Sequence, residues 1–279
     1  DFPIGGGASM DMCSLPDQDG ITFAAADPII GQLNTKGNVL RSSRPVAELW
    51  AHSAEHPLAV SPDGKTVRFS YSGRGETPAV FQVPTAALTL GSKPSSPEAR
   101  LLPPLQQAPG LRVTGWQRTN FDTTGTLHLN GKPLVLDSGE TTNCYALWTP
   151  RDSSGKRIVV GTPWNLYAYN SQGEQLWCTD IPGECWQVNV QNNLVIATFA
   201  DGTIRWYDLH TGDERLALFV HPNQTDWAAW TPNNTYTYSS NGAHLLGWLQ
   251  NQGQDSAARF TPVPWEPSQN PPRISTAFE

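Results

Sequence analysis

Apolar residues fall along this chain in short runs that alternate with polar ones, cut every few positions by Gly, Asn, Asp or Pro. A period of two in runs rich in aromatic and β-branched residues predicts strands joined by tight turns. Ala59 to Val67 is one such unit, with Ser61-Pro62-Asp63-Gly64 between two apolar runs. Pro fixes φ at the second turn position and Gly tolerates positive φ, so this turn has a mechanism. No stretch carries a sustained helical period beside capping residues. Ser42 to His56 is the best helical candidate, and Pro45 interrupts it.

The strand-turn-strand unit recurs. Ala146 to Pro150, continued by Gly155 to Val159, is a second copy, and Ala228 to Tyr236 is a third. Val188 to Ile196 is a fourth, without the proline. Pro62 to Pro150 spans 88 residues and Pro150 to Pro232 spans 82, each about twice a period of 40–45. Halving the intervals and stepping back once places equivalent registers near Gln18, Pro62, Gln106, Pro150, Gln191 and Pro232, each expected to open its own antiparallel unit. Second halves recur too: Gly161 to Trp177, and Asp201 to Phe219. Four short strands per repeat is the sequence form of a β-propeller blade. The expected fold is therefore all-β, a propeller of six or seven four-stranded blades.

Outside the repeats the chain is Pro-rich. The stretch 92–109 reads as an extended connection between blades, and 262–279 as a tail leaving the domain. Residues 1–10, with Gly5-Gly6-Gly7, read as an arm, which leaves 11–261 for the propeller. The first residue is Asp1, and a chain processed or excised from a longer one is expected.

Composition narrows the function classes. Only 15% of residues are charged, against roughly 25% in an average domain, yet 11 Trp, 9 Phe and 7 Tyr supply a core. A net charge of −7 offers no general attraction to phosphate backbones, which argues against a nucleic-acid partner. No apolar run reaches the roughly 20 residues of a membrane helix, and no basic-then-apolar signal opens the chain. Low charge with few lysines favours a periplasmic or extracellular protein over a cytoplasmic one. Cys13, Cys144, Cys178 and Cys185 form no C-x-x-C pair, so neither a zinc ribbon nor a thioredoxin-type site is expected. Cys178 would end an outermost strand and Cys185 begin the next innermost one, so these two are not expected to be bonded. Cys144 and Cys185, both near the starts of innermost strands in adjacent blades, are the better-placed pair if the compartment is oxidising.

Around Asp201 to Asp208 the sequence resembles the WD-repeat family. That resemblance implies a buried hydrogen-bonded set, onto which Thr198, Asp201 and Trp206 map; the family's His is absent, because Pro182-Gly183-Glu184 stands in its place. Between Leu111 and Gly253 the strings Gly115-Trp116, Leu129 to Leu134, Asp226 to Pro232 and Gly247-Trp248 resemble bacterial WD-like propellers that follow caspase-like or other effector domains. Leu166 to Tyr169 with Gly173 to Trp177 resembles quinoprotein propeller repeats, in which Gly and Trp lock neighbouring blades. These resemblances imply architecture rather than a reaction.

Gly-x-Ser-x-Gly, His-Glu-x-x-His and a phosphate loop are missing. His52 and His56 share an i,i+4 spacing beside Pro57 and read as solvated surface. Asp17-Gln18-Asp19-Gly20 opens like a calcium loop without the later ligands and reads as a turn. Cys144 lacks any caspase-type motif and reads as a small buried hydrophobe. No catalytic residue, metal or cofactor is expected. Trp148, Trp206 and Trp230 sit at repeat-equivalent core positions, whereas Trp164 and Trp186 lie near loops and are the candidate anchors for a protein partner. The expected function is a non-catalytic platform for protein–protein interaction in a larger assembly. The alternatives are a propeller hydrolase or quinone-type oxidoreductase, or an exported structural subunit with a constitutive partner.

Overall fold

The computed structural model describes residues 9–14, 20–25, 29–43, 46–50, 58–72, 75–91, 100–118, 123–150, 155–253, 259–263 and 274–278. Within them the chain is all-β: every helical turn is a short 3-10 one. The first four strands, β1 (Ser9–Ser14), β2 (Gly20–Ala25), β3 (Ile29–Asn34) and β4 (Val39–Ser43), form an antiparallel meander, as do β5 (Ala59–Val60), β6 (Thr66–Ser70), β7 (Pro78–Gln82) and β8 (Ala87–Leu90). Short pairings follow among β9 (Val113–Thr114), β10 (Gln117–Arg118), β11 (Thr123–Thr124), β12 (His128–Leu129) and β13 (Lys132–Pro133). Next comes a meander of β14 (Cys144–Trp148), β15 (Arg157–Gly161), β16 (Asn165–Asn170) and β17 (Gln175–Asp180). The last large sheet runs through β18 (Cys185–Gln191), β19 (Leu194–Phe199), β20 (Thr203–Asp208), β21 (Glu214–Val220), β22 (Trp227–Trp230) and β23 (Tyr236–Tyr238). A hairpin of β24 (Gly247–Gln250) and β25 (Arg259–Pro262) lies beyond it.

Consecutive four-stranded meanders stacked face to face are propeller-type blades. Alternating side chains of each strand serve two different interfaces, which is why the middle strands are apolar on both faces. From the β14–β17 sheet, Tyr145, Leu147, Ile158, Val160, Tyr167 and Tyr169 pack on Leu111, Leu127 and Leu129. Its other face puts Ala146, Val159, Leu166 and Ala168 against Val188, Val190, Val195 and Ala197. The opposite face of β18–β21 buries Ile196, Ile204, Trp206 and Leu216 against Val60, Val67, Phe69 and Phe81 of the β5–β8 sheet. Sheets from early and late in the chain thus share one interface. The innermost strands are tied by side chains: Asn189 Nδ2 donates to the carbonyls of Leu58 and Leu102, and the Leu58 amide donates to Gln187 Oε1.

The turn logic holds at three of the repeated units. Positive φ falls at Gly64 (76°), Asn193 (62°) and Asn234 (60°), the residues that tolerate it. In the first, the Ser61 hydroxyl accepts the Thr66 amide and donates to Asp63.

The registers at Pro232 and Gln106 depart from expectation. Gln191 and Pro232 do not open separate blades: β22 and β23 continue the sheet begun at β18, so the repeat reading fails at this point. Asn223 and Asp226 are the cause. Asn223 Oδ1 accepts the Asp226 amide, Asn223 Nδ2 donates to Asp226 Oδ2, and the His221 amide donates to the Asp226 carbonyl, folding the chain back so that β22 ladders onto β21. Near Gln106 no four-stranded unit opens either. Pro103 and Pro104 lack amide hydrogens, so this stretch follows the innermost strands by isolated contacts: Leu102 bridges Val60, the Leu147 amide donates to the Leu105 carbonyl, and Gln106 Nε2 donates to the Tyr145 carbonyl.

The helical candidate at 42–56 is strand up to Ser43 and non-helical over 46–50, with 44–45 and 51–57 outside the described residues. His52 and His56, and Asp17 to Asp19, also lie outside them. In the Pro-rich stretch 262–279, Pro262 ends β25 and residues 264–273 and 279 lie outside the described residues, but Ile274–Phe278 form a 3-10 turn that buries Ile274 in the interface between the β5–β8 and β18–β21 sheets.

Candidate functional site

Trp164 and Trp186 come to the same end of two neighbouring sheets. Trp164 lies in the β15–β16 turn and Trp186 is the second residue of β18, and the Cys185 amide donates to the Thr162 carbonyl between them at 3.1 Å. Their exposures differ. Trp164 is 57% exposed, whereas Trp186 is half-buried, with its carbonyl accepting from Arg118 at 3.2 Å.

The turn that carries Trp164 is rigid. Thr162 is fully buried, and its hydroxyl accepts the Asn165 amide at 2.9 Å while donating to Glu140 Oε1 at 2.5 Å. Asn165 Nδ2 donates to the same carboxylate oxygen at 3.1 Å, and the Tyr167 hydroxyl donates to Glu140 Oε2. Burial first, and then this bond to Glu140, push the Tyr167 phenol far above its ordinary range, so it stays a donor. One carboxylate therefore gathers three donors from the turn and its following strand. The Trp164 carbonyl in turn accepts the Ile181 amide, and its ring faces Gly139.

Beside it is a second cluster. Glu184 accepts from Asn143 Nδ2 at 2.9 Å, and burial raises its carboxyl above the usual carboxylate range. Burial lowers the Arg118 guanidinium, and the nearby Glu184 carboxylate partly offsets this. Trp116 Nε1 donates to the Thr142 carbonyl at 2.7 Å, closing the rim. This end of the sheets thus presents an exposed indole, a half-buried one, and a carboxyl and a guanidinium near enough to interact electrostatically. Such a surface can anchor an aromatic-accepting pocket and orient it by polar contacts at the rim.

Glu140, Thr162 and Arg118 were not legible as members of this site. Gly161-Thr162-Pro163-Trp164-Asn165 announces a turn, but nothing near Asp137-Ser138-Gly139-Glu140 signals that Glu140 will brace it.

Other expected core and site residues resolve individually. Trp206 is fully buried, but Trp148 and Trp230 are only half-buried. Trp230 lines an open groove of about 450 Å³ with Arg205, Tyr236, Trp248 and Phe260, and Arg205 sits 5.9 Å over its ring while pairing with Asp201 and Glu214. Thr198, Asp201 and Trp206 do not bond to one another: Thr198 donates to the Leu49 carbonyl, Asp201 accepts from Thr203 and Arg205, and Trp206 donates to the Gly64 carbonyl. The Trp177 ring packs against Gly212 rather than Gly173, and its Nε1 donates to the Leu209 carbonyl, whereas Gly173 lies against Leu134 and Lys132. Cys144 and Cys185 are buried and Cys178 lies exposed on the edge strand β17. Among the described residues no cluster of three or more His, Cys, Asp or Glu could hold a metal, and no helix is long and apolar enough to cross a membrane.

No protein-family model and no curated protein sequence matches the chain. Among solved structures it is similar to the Myceliophteria thermophila Cps50 (Swd1) β-propeller domain, at 12% identity over 85% of this chain and 88% of that one, with a TM-score of 0.33. It is also similar to the RRP9 WD40 repeats (13% identity, 81% and 88% covered, TM-score 0.29) and to the computationally designed Ika8 protein (14%, 82% and 85%, 0.31). The fold assignment rests on the chain's own sheets and their stacking.

Proposed function

We propose that this chain is a non-catalytic binding platform of the propeller type, which docks a protein partner through the end of the sheets that carries Trp164 and Trp186. The supporting observation is the contrast at Trp164: an indole 57% exposed on a turn whose Thr162 and Asn165 are buried and hydrogen-bonded. A Trp with two side-chain torsions on a braced turn loses little conformational entropy on docking, and burying its exposed part contributes about 2–3 kcal/mol. Trp186, Arg118 and Glu184 supply the partly polar surround. The platform serves a larger assembly, as the resemblance to propellers that accompany effector domains implies.

The test uses the whole chain, immobilised as wild type and as Trp164→Ala, against an extract of its source. A stoichiometric partner retained by the wild type and lost by the variant, at equal melting temperature, is expected. Identical captured proteins from both would remove Trp164 from any interface and sink the reading.

A further inference from the structure

Cys144 and Cys185 open the innermost strands of two neighbouring sheets, and their sulfur atoms lie 3.6 Å apart. They are 5% and 0% exposed, 41 positions apart in sequence. The sulfurs meet because Gly161, paired opposite Cys144, has no side chain. A Cβ there would lie 2.4 Å from Cys185 Sγ and 2.8 Å from Cys144 Sγ. Both side chains therefore point into one glycine-made notch, with the sulfurs 3.6 Å apart against the about 2.05 Å of a disulfide bond. Cys13 and Cys178, the other two thiols, are exposed on other strands.

We propose that Cys144 and Cys185 are a modification site: a disulfide-forming pair that staples the β14–β17 sheet to the β18–β21 sheet. The co-reactant is a low-molecular-weight disulfide such as oxidised glutathione. One protein thiolate attacks it, forming a mixed disulfide and expelling one small thiolate; the second protein sulfur then attacks the mixed disulfide and expels the other. The protein pair loses two electrons and the small disulfide gains two. The protons of the two cysteines end on the two released thiols. Burial holds the Cys185 thiol well above its ordinary range, so in the closed fold it is protonated and a poor nucleophile. The exchange accordingly takes place during folding, before the two sheets close over the sulfurs. Glu184 and Trp186 flank Cys185 in sequence and Arg118 donates to the Trp186 carbonyl, so the bond fixes the relative position of the two sheets at that end.

The experiment refolds the full chain in a buffer of reduced and oxidised glutathione, quenches with iodoacetamide and maps the peptides without reduction. The expected result is a Cys144–Cys185 linked peptide, alkylation of Cys13 and Cys178, and a melting temperature about 10 °C above that of the reduced protein. The double variant Cys13→Ser/Cys178→Ser should refold with the same linkage and the same shift. Cys144→Ala should abolish both if it folds. Four alkylated cysteines in the refolded protein, or a linkage to Cys13 or Cys178, would overturn the proposal. Neither result depends on whether Trp164 binds a partner.

Discussion

The indole N–H of Trp206 donates to the carbonyl oxygen of Gly64 at 2.8 Å, joining the third strand of one sheet to the first hairpin of another 142 residues earlier. The ring is fully buried among Ile204, Leu216, Val67 and Phe81. Gly64 has φ of 76°, and a Cβ there would lie 2.7 Å from Leu194 Cδ1, so the hairpin presses on β19 as well. One side chain thus carries both apolar packing and a directed bond between distant parts of the chain.

Removing it should be costly. Trp206→Ala is expected to lose about 3–5 kcal/mol of unfolding free energy in urea, the range for buried aromatics. Trp206→Phe keeps most of the apolar fill but leaves the Gly64 carbonyl unpaired, so a smaller loss of about 1–3 kcal/mol is expected. A loss below about 1 kcal/mol for the alanine variant would place the indole outside the core.

Gly212 tests the second inter-sheet lock. Its φ is 78°, and a Cβ would come within 2.8 Å of Trp177 Cε3 and 2.7 Å of Thr179 Oγ1. Gly155 has a similar φ of 71° with nothing within 4 Å of a built Cβ. Gly155→Ala should therefore show only the backbone cost, about 1 kcal/mol, while Gly212→Ala adds about 1–3 kcal/mol of overpacking. Equal losses in the two variants would mean that the Trp177 ring yields freely.

Much of the fold was legible because strands and turns are written locally. Ser61-Pro62-Asp63-Gly64 and Thr231-Pro232-Asn233-Asn234 carry their turn chemistry in four residues, and alternation carries the strands between them. What the sequence did not disclose is which strands become neighbours. His221 to Asp226 reads as a turn either way, and only the Asn223–Asp226 bonds decide that β22 returns along β21 instead of opening a new sheet. At the candidate site, Trp164 was visible from its place in a turn. Glu140 was not, because its three donors come from residues 22 to 27 positions away.

Asp208 gives a pH dependence of known sign. Burial alone would raise its carboxyl, but Arg215 at 2.9 Å and the amides of His210 and Thr211 outweigh burial and hold it below its ordinary value. A carboxylate depressed in the folded state adds stability above its unfolded pKa, which is lost as pH falls through the folded one. Asp208 should accordingly contribute about 1 kcal/mol near pH 6 that fades below about pH 4. Asp208→Asn should be less stable than wild type at pH 6 and close to it at pH 3. A constant difference across that range would show that the charge is not what matters.

Asn189 is the sharpest case of a polar residue whose role depends on neighbours remote in sequence. In Val188-Asn189-Val190 simple alternation would turn the amide to solvent, yet it is fully buried, because an innermost strand has neighbours on both faces. Its Nδ2 donates to the Leu58 and Leu102 carbonyls at 3.2 and 2.9 Å, and its Oδ1 accepts from Gln191 Nε2 at 3.3 Å. Asn189→Ala should lose about 1–3 kcal/mol, since it strips a side-chain donor from the buried Leu58 carbonyl and from the half-buried Leu102 carbonyl, which keeps the Val60 amide. Asn189→Asp should be worse at pH 7, because an ionised carboxylate would face those same oxygens in a dry site. Protonation restores one donor, so the gap between the Asp and Ala variants should narrow on acidification to pH 4. Chemical denaturation at the two pH values decides it: an Asp variant as stable as wild type at pH 7 would mean that the three segments are not joined through this side chain.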